Sequence, residues 1–552
     1  MNRPATTPAG PATAGLKPPF GADGRFPDVR FRPGEISVLI GGDGAGKSAM
    51  LRLLAEPRED MTAKDVGYQP STSGTWPQLT VRENLAFVAG LHNLDREAAR
   101  DRADMLIRAA ELVGAEDRLA RNLSGGMRQK LGVIMAMLPA PSLLILDEPT
   151  TGVDVDARAS LWELMALSAA EGAIVLVSTT YLDEAERAAQ VVFLDHGEVI
   201  AAGTPAEVIA AAPGLVLHEL SDDGPAAHRP ANGATSWRRG HSRYRWLPDA
   251  DDVLTEPPPG EGTPAHGPEG AGLEGAGPAE MDLELATIAY LLCRERRRTR
   301  QAGGPDETGT DADADAVADA DADAGVDAGA DAGVDAITDL VAVREPGALL
   351  VEAEGATKRF GSFTALDDVS MQVTSGEIVG LIGGNGAGKT TLMRIMLGLE
   401  RATSGTVNLL GGEPGPAARR DLGYVPQSLG LYPTLTAREN LDFTAGIFGA
   451  DVAPELRAAA ERHGTRLVGD LPLGAQRDLA VICAISHDPR LLVLDEPTSG
   501  MDALSRARFW ARLRGLAERG TGVLITTHYQ HEAIQCDRIV ELESGQVVDR
   551  GN

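Results

Sequence analysis

The chain has 552 residues, too many for one hydrophobic core, so two or three domains are the starting expectation. Its 51 Lys and Arg against 80 Asp and Glu leave a formal net charge of −29, which argues against a nucleic-acid groove as the main surface, since phosphate backbones are held by clustered cations. No run of about 18 apolar residues reads as a membrane span; the longest candidate, Leu131 to Leu146, is cut by Pro139-Ala140-Pro141 into a helix and a strand.

Met1 to Gly15 is rich in Pro, Ala and Thr and has no apolar signal core, so secretion is not indicated. Glu35 to Ile40 predicts a short buried strand that runs into Gly41-Gly42-Asp43-Gly44-Ala45-Gly46-Lys47-Ser48, and Ala49 to Leu54 predicts a helix after it. Such a turn brings many backbone N–H groups close to phosphate. Gly41, Gly42, Gly44 and Gly46 permit the approach, and the helix adds the positive end of its dipole. Lys47 would reach the terminal phosphates, and the Ser48 hydroxyl would bind magnesium. Further on stand Leu123-Ser124-Gly125-Gly126 and then Leu143 to Leu146, a buried strand ending in Asp147-Glu148. Strand ends of this kind are where α/β proteins bind ligands. Asp147 is expected to hold magnesium through water and Glu148 to polarise the attacking water. Ala173 to Ser178 predicts a later strand of the same sheet.

The middle of the chain is different. Leu283 to Arg296 predicts one helix, with Leu285, Ile288, Ala289 and Leu292 on one face. Arg294, Arg296, Arg297, Arg298 and Arg300 are read as following it, either as favourable charge at a helix C-terminus or as a contact for anionic lipid or an acidic loop of a partner. Pro257 to Gly277 reads as irregular. Asp311 to Ala336 is an Asp-Ala/Gly repeat with no apolar face, expected to be a disordered, solvated spacer. Cys293, Cys483 and Cys536 make no framework and read as reduced and structural.

The ATPase grammar then returns. Glu377 to Ile382 predicts a strand running into Gly383-Gly384-Asn385-Gly386-Ala387-Gly388-Lys389-Thr390-Thr391, with a helical pattern over Leu392 to Leu399. Leu471-Pro472-Leu473-Gly474 stands where the first copy has Leu-Ser-Gly-Gly, and Leu491 to Leu494 ends in Asp495-Glu496. Gly383, Gly384, Asn385, Gly386, Gly388, Lys389, Thr390 and Thr391 are the second set of phosphate-binding candidates, with Thr390 and Asp495 toward magnesium and Glu496 toward water. An Asp-Glu pair can also be a plain solvated strand end, but here Pro149-Thr150 and Pro497-Thr498 repeat the context. The spacing from Ser124 to Asp147 equals that from Pro472 to Asp495, so one fold is used twice. The expected fold is α/β: two tandem P-loop ATPase domains, each with a mostly parallel sheet covered on both faces by helices. The expected boundaries are 1–213 for the first domain, 214–300 for a small extension with one helix, 301–345 for the linker and 346–552 for the second domain. The first copy is shorter, lacking the Ser404-Gly405-Thr406-Val407 region and a clear equivalent of the strand Leu349 to Phe360.

Leu-Ser-Gly-Gly, Asp-Glu-Pro-Thr and Thr527-His528-Tyr529 resemble the ATP-binding-cassette (ABC) ATPases over roughly three quarters of the chain. Gly423-Tyr424-Val425-Pro426-Gln427, Leu435 to Asn440 and Tyr181 to Glu186 are similar to the drug-export ATPases that serve ABC-2-type permeases. The resemblance implies an antiparallel β subdomain and a helical subdomain beside the mostly parallel sheet, ATP and Mg2+ as ligands, ATP hydrolysis, and head-to-tail pairing of the two domains within the chain. Each ATP would lie between one domain's phosphate loop and the other's signature. It also implies separate transmembrane permease subunits, no nucleic acid, and a cytoplasmic place at the inner face of the cell membrane, reached through the permease. Leu429 to Pro433 and Ser73 to Pro77 would face the permease, and Asp154 and Asp502, which also suit helix N-capping, would line the seam.

Under that pairing, site A joins Lys389, Thr390, Gln427, Asp495, Glu496 and His528 to Ser124, Gly125 and Gly126, with Gln427 also near the metal and Phe360 as the adenine-stacking aromatic. Site B joins the first copy's phosphate loop to the second copy's signature, and every departure falls there. Ser71 stands for Gln427, with Gln69 two residues earlier as a candidate substitute; Thr180 stands for His528; Pro472 and Leu473 stand for Ser and Gly. Proline lacks an N–H, and leucine crowds a backbone that must approach phosphate. Site A is expected to hydrolyse and site B mainly to hold ATP. A soluble tandem-cassette translation factor and the ATPase of a sugar importer are the alternatives; an acidic linker speaks against the first.

Overall fold

The computed structural model describes residues 29–56, 62, 64–153, 155–219, 235–239, 242–248, 276–302, 341–384, 386–471, 473–527 and 530–548. Asn385, Pro472, His528, Asp154 and almost all of the Asp/Ala-rich linker lie outside these residues. The chain divides into two units, Met1–Ala211 and Ala212–Asn552.

The first unit is built on six strands: β1 (Ile36–Ile40), β2 (Val66–Gln69), β3 (Leu143–Asp147), β4 (Ile174–Ser178), β5 (Gln190–Asp195) and β6 (Glu198–Gly203). Their order in the sheet is β2-β3-β4-β1-β5-β6, parallel except for the β5–β6 hairpin. β3 and β4 are buried at every position, as continuous apolar strands covered on both faces should be. The helix Lys47–Ala55 packs Met50, Leu51 and Leu54 onto one face. Val29 and Phe31 complete that same core. Among the described residues of this unit there is no three-stranded antiparallel sheet, so these two side chains do part of the covering that such a sheet performs in the second unit.

The second unit opens with a small sheet that sequence patterning did not expose: β7 (Leu215–Glu219), β8 (Thr235–Arg239), β9 (Ser242–Leu247) and β10 (Ala276–Pro278), antiparallel in the order β10-β7-β9-β8. Trp246 is buried and its indole N–H donates to Pro213 O at 2.8 Å. The helix Leu283–Ala302 buries Leu285, Ile288, Ala289 and Leu292, the face anticipated from its periodicity. It runs further than anticipated: Arg294, Arg296, Arg297, Arg298 and Arg300 lie within it rather than after it, because arginine is a good helix former and no breaker intervenes before Gly303. This small domain is anchored on the helix Ala503–Glu518 of the second cassette. Arg508 makes a bidentate bridge to Glu295 at 2.8 and 2.7 Å, and Arg238 reaches Glu518 at 3.0 Å.

The second cassette follows. β11 (Leu349–Phe360), β12 (Phe363–Thr374) and β14 (Ser404–Leu409) form an antiparallel sheet in the order β12-β11-β14. β13 (Ile378–Ile382), β15 (Leu422–Val425), β16 (Leu491–Asp495), β17 (Gly522–Thr527), β18 (Arg538–Glu543) and β19 (Gln546–Val548) form a second six-stranded sheet, ordered β15-β16-β17-β13-β18-β19. That order repeats the first unit's sheet strand for strand. No helix among the described residues is long and apolar enough to cross a membrane.

Candidate nucleotide sites

Both phosphate loops leave the C-terminal end of the sheet's fourth strand and enter a helix at the lysine. Gly46 (φ 98°) and Gly388 (φ 105°) are the residues before Lys47 and Lys389, in the left-handed region that glycine adopts without strain. Neither helix start carries a side-chain cap, so first-turn N–H groups and the dipole's positive end are available to an anion. At Gly41 and Gly383 a Cβ would come within 2.3 Å of Leu194 O and Leu542 O, so only glycine lets the loop turn there. Gly42 is half-buried in the first loop and Gly384 is exposed in the second, while Gly44 and Gly386 sit exposed at the loop tips with φ of 79° and 82°.

Lys47 Nζ donates to Gly41 O and Gly42 O at 2.8 and 2.9 Å and lies 3.6 Å from Glu148 Oε1. Lys389 Nζ does the same to Gly383 O and Gly384 O at 2.7 and 3.1 Å. Burial pushes the Lys389 pKa down, opposed by the negative charges of Glu496 and Asp495. Ser48 Oγ donates to Asp147 Oδ1 at 3.0 Å, and Ser178 Oγ donates to the same oxygen at 2.7 Å. In the second cassette Thr526 Oγ1 donates to Asp495 Oδ1 at 2.6 Å, and burial raises the Asp495 carboxyl above its ordinary value. Thr390 is exposed and Thr391 half-buried at the head of their helix.

Glu148 and Glu496 both take left-handed φ, 50° and 48°, and non-glycine residues persist there only when their surroundings hold them. Each is pinned by its N–H, Glu148 to Ser178 Oγ at 2.9 Å and Glu496 to Thr526 Oγ1 at 3.0 Å. Their side chains diverge. Glu496 Oε2 accepts from Gln427 Nε2 at 3.0 Å, whereas Glu148 Oε2 accepts from Thr151 Oγ1 at 3.1 Å. Gln69 does not take the place of Gln427. Its side chain is buried and meets Gln129 of the helix Gly125–Met137 at 2.5 Å. The reason is position along the strand: Gln69 is the last residue of β2 and aligns with buried Val425 at the end of β15, whereas Ser71, aligned with Gln427, lies beyond the strand end.

Ser124 is the N-cap of the helix Gly125–Met137, accepting from Met127 N at 3.3 Å, and stays exposed with Gly125 while Gly126 is buried. Leu473 begins the matching helix Leu473–Ile485 and lies against Gly500, where a Cβ would meet Leu473 Cδ2 at 3.1 Å. Asp502 caps the next helix through Ser505 N at 2.8 Å. Phe360 is half-exposed at the end of β11, with Lys358 Nζ 4.9 Å from its ring centre. Trp76 and Phe87 pack at 4.4 Å in the first cassette, and Tyr432 and Phe443 at 5.0 Å in the second; all four are exposed.

One cluster was missed in the sequence although its spacing is repeated. Glu184 Oε2 accepts from Thr150 Oγ1 at 2.9 Å and Thr179 Oγ1 at 2.8 Å, with Arg158 at 3.6 Å. Glu532 accepts from Thr498 and from Thr527, the latter at 2.6 Å, with Arg506 at 4.0 Å. Burial pushes the Glu184 carboxyl up to about 7, against the pull of Arg158 and both hydroxyls, with Asp183 adding to the rise. The folded value exceeds the ordinary 4.5, so between the two the folded protein keeps a proton that the unfolded chain releases. This group's stabilising contribution is complete below about pH 4.5 and is lost as pH rises through about 7. Glu184→Gln cannot ionise. Its Tm relative to the parent should therefore rise between about pH 5 and pH 8, by something on the order of 5 °C in thermal scans; a pH-independent difference would show that Glu184 does not titrate there.

Two glycine-rich loops entering helices, each beside a buried lysine and a strand-end Asp-Glu pair, define a tandem P-loop nucleotide-binding protein. The family model described as ABC transporter matches residues 27–151 and 366–499. Probable multidrug ABC transporter ATP-binding protein YbhF of Escherichia coli (strain K12) is 32% identical over 554 residues, covering 95% of this chain and 89% of that protein. Nod factor export ATP-binding protein I of Burkholderia orbicola is 41% identical over 214 residues, covering 36% of this chain and 70% of that protein. A solved structure described as an ATP binding subunit of an ABC transporter is 30% identical with a TM-score of 0.35, covering 37% of this chain and 90% of that one. The chain belongs to the ATP-binding proteins of ABC transporters; it carries two of their cassettes, binds ATP and is an ATP hydrolase.

Proposed function

We propose that this chain drives export of drug-like or lipid-like molecules through separate ABC-2-type permease subunits, with one competent ATP site and one degenerate one. The observation that carries the export reading is a multidrug-transporter relative aligned across 95% of the chain, both cassettes and the segment between them included. The exposed aromatic pairs Trp76–Phe87 and Tyr432–Phe443, at equivalent places in the two cassettes, support paired permease contacts and hence a position at the inner face of the membrane. Co-purification from detergent extracts with a polytopic membrane protein is the expected result. Sedimentation with ribosomes in membrane-free lysate would contradict it.

The asymmetry rests on where the departures fall. With the cassettes paired head to tail, site A has Lys389 and the helix behind it on the phosphates, Ser124 and the Gly125–Gly126 N–H groups covering them, and Glu496 and Gln427 around the attacking water. His528 would sense the terminal phosphate and Phe360 would stack on adenine. In site B the glutamine position holds exposed Ser71, the histidine position holds Thr180, and Leu473 stands at the covering helix start. The donor set fits Mg2+, a hard cation: hydroxyls of Ser48 and Thr390, carboxylates of Asp147 and Asp495, and the Gln427 amide oxygen. The buried Asp147 Oδ2 has no hydrogen-bond partner among the described residues. Bound there, the ion would neutralise phosphate charge, while Glu496 takes up the proton of the attacking water.

A further inference from the structure

The two signature helices differ one turn in. Gln129 of the first helix aligns with Arg477 of the second. Gln129, half-buried, spends its side chain on buried Gln69 of the same cassette at 2.5 Å. Arg477 is buried, and its Nη1 donates to Glu496 O at 2.9 Å and also to Pro497 O. Val425, which replaces Gln69, leaves no polar partner at that strand position, so the longer guanidinium reaches past it to the glutamate loop.

We propose that Arg477 is a positioning residue that ties the second cassette's signature helix to the water-polarising Glu496, so that the degenerate ATP site steers the competent one. The tie is short. Leu473 and Arg477 are one helical turn apart on the helix Leu473–Ile485. Glu496 sits in a left-handed conformation, φ 48°, already pinned by Thr526, and the guanidinium additionally clamps the Glu496 and Pro497 carbonyls at that bend. A nucleotide pressing on the start of this helix would move Arg477 and, with it, the Glu496 side chain relative to Gln427. In the first cassette the same helix is bonded to β2 instead, so Glu148 has no such tie among the described contacts. The inference rests on the proposed pairing and on site A being the hydrolytic one.

The test is a double-mutant cycle on the full chain with its membrane partners. Arg477→Gln, which installs the first cassette's residue, should lower kcat by roughly 10-fold with KM for ATP within about twofold and Tm nearly unchanged. Arg477→Lys should recover part of that loss. Lys47→Ala, which weakens ATP at the degenerate site, should slow the parent several-fold but add little in the Arg477→Gln chain. A kcat within twofold of the parent overturns the proposal, and so do Lys47→Ala and Arg477→Gln effects that simply multiply. If Arg477→Gln does not fold, the cycle is read with Arg477→Lys by the same criteria. Failure of the underlying reading is separate: Glu496→Gln and Glu148→Gln would then lose equal turnover.

Discussion

Glu496→Gln should lower ATP turnover of the assembled complex by roughly 100-fold or more, while Glu148→Gln should cost less than about threefold. Both carboxylates follow a strand-end Asp, both take left-handed φ, and both are pinned through their N–H by the neighbouring strand's hydroxyl. What separates them is their company. Glu496 has Gln427 at 3.0 Å and Arg477 on its carbonyl, and its expected covering groups, Ser124, Gly125 and Gly126, belong to an intact signature. Glu148 has Thr151 at 3.1 Å and no glutamine, and under the proposed pairing its covering signature would be Leu-Pro-Leu-Gly. Losing one placed donor to developing charge costs about 3 kcal/mol, so a site lacking several adds little to total turnover and loses little with its glutamate. Steady-state ATPase of the two single variants measures this, and comparable losses would remove the asymmetry.

Lys389→Ala should bring an effect of the same size, with turnover falling roughly 100-fold or more and ATP affinity at site A falling with it. Lys389 is buried between two carbonyls and two acidic groups, and its pKa is lowered by desolvation; an ammonium held there gains most when phosphate replaces the carbonyls as its partner. Lys47 has the same two carbonyl partners and Glu148 nearby, yet its removal should slow turnover only several-fold, because its site is the one lacking Gln427 and His528 equivalents. Photolabelling with an ATP analogue separates binding from chemistry: label on the second cassette should vanish in Lys389→Ala and persist in Glu496→Gln.

The sites were legible in the sequence because their chemistry is local. A strand, a glycine-rich turn and a lysine heading a helix occupy about a dozen residues in each copy, and the repeat fixed the roles by comparison. The antiparallel sheet β12-β11-β14 was half legible: the strand Leu349–Phe360 and the Ser404–Val407 region stood out as the pieces the first copy lacks. The sheet β7-β9-β8 was not. Arg238, Arg239, Arg243 and Arg245 blur the alternation of the β8–β9 hairpin, and β7 joins it only across the long gap between Glu219 and Ser242. Gln69 is no stand-in for Gln427: it ends β2 and packs where Val425 packs, while the Gln427 position comes two residues later, past the strand end. Glu184 and Glu532 could have been found, since each stands at the same offset from its Asp-Glu pair and each follows a matching Thr. Arg477 could not, because its meaning lies in two carbonyls on a loop about twenty residues away that only the folded cassette brings beside it.

The central claim is that the first cassette's signature covers ATP held by the second cassette's phosphate loop. The direct measurement is oxidative cross-linking of the full chain carrying Ser124→Cys and Asn385→Cys in a Glu496→Gln background, where trapped nucleotide should persist; the native Cys293, Cys483 and Cys536 are buried and should contribute little background. A disulfide needs Cα atoms within about 7 Å. The account expects the bond to form rapidly with MgATP and hardly at all without it; no cross-link in the presence of trapped MgATP would contradict it.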